Sequence, residues 1–174
     1  MTKRLFKGLV LIFVSILLFQ CDGGLSPDSK EAGITGFSGK VTFIGTWPQG
    51  IKRTHLVVFK SPILQSGDFF PPNLSIIMDS IAYGSNEYNY NSIDNNYVRD
   101  AKIDEGDYAY VVVAQSKTAE LSLLREDWTV AGIYYASTNN AVPGILRMEK
   151  GRTTRDINII CDFNNPPPQP PGGR

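Results

Sequence analysis

Apolar and polar residues alternate with a period of two in stretches near the start and the end of the chain. Thr35, Phe37, Gly39, Val41 and Phe43 share one face, and Gly36, Ser38, Lys40 and Thr42 the other. That is the pattern of a strand with one buried side. Residues 155–163 repeat it, with Ile157, Ile159, Cys161 and Phe163 on one face. Residues 108–115 differ: Tyr108, Tyr110, Val112 and Ala114 lie on one side and Ala109, Val111 and Val113 on the other. Apolar residues on both faces predict a central strand covered from both sides.

Shorter apolar runs at 53–60, 74–83, 97–103, 128–137 and 145–148 predict further strands, and residues 85–92 alternate Tyr with Asn. Turn chemistry separates them at Trp47-Pro48-Gln49-Gly50, Asp94-Asn95-Asn96, Glu105-Gly106-Asp107, Thr138-Asn139-Asn140 and Glu149-Lys150-Gly151. Residues 61–73, rich in Pro, Gly and Phe without periodicity, read as a crossing loop. The one candidate helix is 118–127, where Ala119, Glu120, Leu121, Leu123, Leu124 and Arg125 all favour that state. Seven or eight short strands with at most one short helix predict an all-β domain over 33–164, an antiparallel Greek-key β-sandwich. Residues 165–174 hold five Pro and two Gly. They are expected to be disordered or polyproline-like.

Ahead of the domain, Lys3, Arg4 and Lys7 precede an apolar run over 8–19 and then Gln20-Cys21. The run is shorter than the about 20 residues that a spanning helix needs. It reads as an export signal. No small residue precedes a general cleavage site, so the Cys is the processing mark, and the stretch resembles a bacterial lipoprotein signal. The resemblance implies a signal peptide over 1–20, lipidation of Cys21 and a flexible tether over 21–32. Gln20 departs from the small residue the family prefers there. An uncleaved anchor and a Cys21–Cys161 disulfide are the alternatives. The expected location is the bacterial cell envelope, at the outer membrane or cell surface in preference to the inner membrane, with the membrane contacted through the lipid.

The stretch Ile103-Asp104-Glu105-Gly106-Asp107-Tyr108 sharpens the fold reading. It resembles the turn-and-strand signature of carboxypeptidase-regulatory-like and transthyretin-like domains. In those domains the Gly makes the turn and the Tyr enters the core. Residues 39–43, 128–135 with Pro143-Gly144, and 157–163 are similar to other strands of such a sandwich. The likeness implies a fold rather than an activity.

The chain has seventeen basic and seventeen acidic residues. Loss of Lys3, Arg4 and Lys7 with the signal leaves fourteen basic residues against seventeen acidic, so no nucleic-acid partner is expected. The single histidine, His55, lies within a predicted strand, and no Gly-x-Ser-x-Gly elbow is present. Transthyretin-like hydroxyisourate hydrolases use more than one His and finish on Tyr-Arg-Gly-Ser, so that activity does not carry over. One His with one or two Cys cannot assemble a zinc site, and Asp94-Asn95-Asn96 lacks the Gly and distal Glu of a calcium loop. No cofactor and no catalytic residue is expected. Cys161, on a core-facing strand, reads as a buried thiol. Tyr88, Tyr90 and Tyr97 are the candidate ligand-binding residues, since Tyr rings among Asn amides suit a glycan or peptide. A hairpin with one packed face explains the same alternation. The function expected is a non-enzymatic envelope module with a structural, adhesion or assembly role toward an envelope protein or glycan; capture of a glycan or peptide by aromatics around 83–97 is the alternative.

Overall fold

Ten strands are present in the computed structural model, which describes residues 33–94, 97, 103–137 and 142–173. The expected signal over 1–20, the expected tether and Cys21 lie outside the described residues, as does most of the predicted 97–103 strand. The strands are β1 (Gly36–Ile44), β2 (Arg53–Phe59), β3 (Leu74–Ser80), β4 (Glu87–Asn91), β5 (Gly106–Tyr108), β6 (Tyr110–Ser116), β7 (Trp128–Tyr134), β8 (Leu146–Met148), β9 (Thr153–Thr154) and β10 (Ile159–Asp162). The main sheet runs β3-β2-β6-β7-β10-β1-β4, with β9 also beside β1, and β5 pairs with β8.

The expectation of an all-β domain holds, and the pairing is mixed rather than wholly antiparallel. β1 lies parallel to β10, Val41 opposite Ile159 and Phe43 opposite Cys161, and parallel to β9 as well. Parallel neighbours need a long crossover. The first and last strands have the whole domain between them, so this pair can meet in that sense without a tight turn. Alternation is the same in both kinds of ladder, which is why the sequence pattern did not separate them.

The sheet curls around its larger core. Phe37 and Val41 from β1, Leu56 and Val58 from β2, Met78 from β3, Tyr90 from β4, Val111 and Val113 from β6, and Ile159 and Cys161 from β10 pack in one cluster. Both end strands contribute to it. The alternations read at β1 and β10 are therefore the inward faces. Gly39 belongs to that face because a Cβ there would sit 2.2 Å from the Ile157 carbonyl oxygen.

The opposite face of β2, β6 and β7 is apolar too, and it is covered by irregular chain. Phe59, Tyr110, Val112, Trp128 and Val130 pack there under Ile63 and Phe69. β6 lies between β2 and β7 and is buried along its whole length, as a two-faced apolar strand requires. The 61–73 segment holds its shape through Asp68, which accepts from the Leu64 and Gln65 amides, and through Asn73, whose side chain donates to the Ser61 and Asp68 carbonyls.

One local expectation is corrected. No α-helix forms over 118–127; the chain is irregular and closes in a single 3-10 turn, Arg125–Asp127. The Ser116 and Thr118 hydroxyls hydrogen-bond at 2.8 Å, and Ser122 meets Asp127 at 2.5 Å, so side chains compete with the backbone that a helix would need. Leu123 is left 74 % exposed. Residues 165–173 of the tail lie against β7, with Pro170 buried. Polar contacts from Gln169 and the buried Pro170 ring hold them there.

Candidate functional site

The three tyrosines singled out from the sequence do not make one open platform. Tyr90 is buried, 4 % exposed, with its hydroxyl donating to the Ile157 carbonyl, and its ring meets Phe37 edge-on at 5.8 Å. Tyr88 and Tyr97 are half-buried against the same core, and the Tyr97 hydroxyl donates to the Ser92 carbonyl. Tyr97 also bridges Met78 on β3. Burial raises the Tyr90 and Tyr97 phenols above their ordinary value of 10.0. Among the described tyrosines of 83–97, Tyr83 stands furthest out, 57 % exposed and edge-on to the buried Trp47 at 5.2 Å. Trp47 and Trp128 are both packed, each donating its indole N–H to a backbone carbonyl, that of Ser85 and Ser122 respectively.

His55 sits on the outward face of β2, 1 % exposed. Its Nδ1 lies 2.9 Å from the Met78 carbonyl. A carbonyl only accepts, so Nδ1 carries the hydrogen and Nε2 presents a bare lone pair. That Nε2 has no hydrogen-bond partner. Burial is the main influence and lowers the imidazole pKa below 6.5, and the Met78 bond offsets this in part. The ring lines a cavity of about 40 Å³ walled by Val57, Phe69, Ile77 and Trp128. Among the described residues no Ser, Cys or carboxylate is hydrogen-bonded to it, so they do not assemble the relay of a hydrolase around His55. Cys161 is free and buried, and desolvation pushes its thiol pKa up, which leaves it protonated and a poor nucleophile. Among the described residues no group of three His, Cys, Asp or Glu is placed to hold a metal ion.

The feature that the sequence reading missed lies where β10 leaves β7. β10 pairs with β7 only at Ile133 and Tyr134. Beyond that point the β7 backbone would be an open edge. Gln169 closes it: its Oε1 accepts from the Val130 amide at 2.8 Å and its Nε2 donates to the Val130 carbonyl at 2.8 Å. One turn before β7, Arg125 donates to the Trp128 carbonyl at 2.5 Å through Nη1 and to the Pro170 carbonyl at 3.0 Å through Nη2. Arg125 is 4 % exposed and lies over the Phe69 ring, 4.7 Å from its centroid. Two clefts flank the tail, one of about 660 Å³ with Ile160 and Pro166 in its walls, the other of about 480 Å³ with Tyr110 and Ile145. Ile133, Tyr135 and Pro168 line both. No periodic signal marks such an arrangement. The only clue in the sequence was a lone Gln within a proline run.

At the 105–108 turn, Gly106 has a φ of 140° and Tyr108 is 3 % exposed, its hydroxyl donating to the Asp104 carbonyl at 3.0 Å. No protein-family model, no curated protein and no solved structure matches this chain.

Proposed function

We propose that this protein is a lipid-anchored, non-enzymatic module of a bacterial envelope with a structural, adhesion or assembly role, built on a Greek-key, transthyretin-like variation of the β-sandwich. The observation that carries the reading is where the reactive side chains lie. His55 and Cys161 are both buried, and among the described residues neither is hydrogen-bonded to a group that would activate it. The fold reading is supported by Tyr108, whose hydroxyl reaches back to the Asp104 carbonyl in the manner of the tyrosine corner of Greek-key proteins. The anchor reading rests on Lys3, Arg4, Lys7, the apolar run over 8–19 and Cys21.

A second reading, ligand capture by the 83–97 region, rests on the exposed Tyr83 beside Trp47. Expression of the Cys21→Ser chain in a bacterial host tests the anchor. The expected result is loss of the acyl mass from the mature protein and release from the membrane fraction. Unchanged retention and processing in that variant overturn it.

A further inference from the structure

We infer that the segment Pro168–Gly173 is an exchangeable ligand of the β7 edge, and that the same edge takes this segment from a second copy of the chain. An unpaired strand edge invites an extended segment to complete its ladder. The Gln169 amide does so here with one donor and one acceptor, supplying at Val130 the pair of bonds that a neighbouring strand would supply. The fit continues past Gln169. A Cβ on Gly173 would lie 2.5 Å from Arg125 Nη2, and one on Gly172 would lie 2.7 Å from Ser66 Cβ. The groove therefore takes Gln at 169, a carbonyl at 170 for Arg125, and at 172, where φ is 76°, a residue without a side chain.

Three features favour exchange between copies. The segment is held by directional contacts at Gln169 and at the Pro170 carbonyl, which the same segment of a second copy can reproduce. It is joined to β10 through a turn, with the Asn165 amide donating to the Asp162 carbonyl at 3.1 Å, and then through Pro166-Pro167-Pro168, a stiff extended spacer. Ile160, Val142 and Ile145, each more than half exposed, border the two clefts beside that spacer. A second copy that crosses its tail over would cover them, and the exchange is isologous, each copy giving and receiving the same contacts.

The test uses the full chain and a synthetic, fluorescently labelled peptide of sequence 164–173. Sedimentation of the native chain over rising concentration is expected to show a monomer–dimer equilibrium that excess peptide returns to monomer. The Gln169→Ala chain is expected to lose the dimer yet bind the native peptide. The same peptide with Ala in place of Gln is expected to bind about tenfold more weakly, the effect of two lost hydrogen bonds. Equal binding of the two peptides, a dimer that survives Gln169→Ala, or a native chain that stays monomeric and unaffected by peptide each overturn the inference. Peptide competition on the native chain decides alone where the Gln169→Ala chain does not fold.

Discussion

The two faces of the curled sheet are stabilised in different ways. The inner face is filled by side chains that alternate along strands: Phe37, Val41 and Phe43 from β1 meet Leu56, Val58, Val111 and Ile159. The outer face of β2, β6 and β7 is roofed by irregular chain, Ile63 and Phe69 from the 61–73 segment and Arg125 with the tail at its margin. The inner face thus depends on strand register, and a change there meets neighbours locked by ladders on either side. The outer one depends on individual side-chain anchors, Asp68, Asn73, Arg125 and Gln169, that tie loops to strands. Burial is similar on both sides. The freedom to relax is not.

That difference sets the largest expected effect. Phe37→Ala is expected to cost about 3–5 kcal/mol in denaturant unfolding, because ladders on both sides of β1 keep the gap from closing. Phe69→Ala, in a 3-10 turn, should cost about 2–3 kcal/mol, since the turn can settle into the space. Equal losses at the two positions would show that the outer roof is as rigid as the inner core.

A smaller effect tests the outer face through its single histidine. Burial favours neutral His55, so the unfolded chain takes up a proton that the folded chain resists. The stabilisation is complete above about pH 6.5 and is lost as pH falls from there toward the lowered folded value. The nearby charges act in opposite directions, Arg53 lowering and Asp79 raising the pKa, and neither outweighs burial. Urea midpoints of the native chain are expected to fall between pH 7 and pH 5. A His55→Gln chain should be flat over that interval, and parallel curves for the two would refute the assignment.

The smallest effect lies on the bare part of the outer surface, over β1 and β4. Lys40 Nζ meets Glu87 Oε1 at 2.9 Å with both side chains near half exposure. Glu87→Gln is expected to cost about 0.2–1 kcal/mol and to lose even that at high salt. A larger, salt-insensitive loss would mean that this half of the outer face is covered by something.

How much of this was legible follows the same division. The inward residues of β1 and β10, and the two-faced character of β6, were read from a period of two, because backbone pleating translates directly into spacing. The turn at Gly106 was legible for a similar local reason: with φ at 140°, that position demands glycine. The 118–127 segment was misread because helix propensity is a weak preference, and here Ser and Thr hydroxyls and the docking of Trp128 outweigh it. The tyrosines at 88, 90 and 97 showed one packed face in the sequence. Which of their hydroxyls were engaged depended on the Ile157 and Ser92 carbonyls.

By itself, the sequence determined that the described domain is built of strands, which residues of its clearest strands point inward, and that Cys161 lies in the core. Those properties are local, written in alternation and in turn residues. The tertiary structure alone decided that β1 and β10 run parallel, that Arg125 donates to the Pro170 carbonyl, and that Gln169 completes the edge of β7. Each of these joins a side chain or strand to backbone far along the chain, and long-range pairing leaves no period in the sequence from which it can be read.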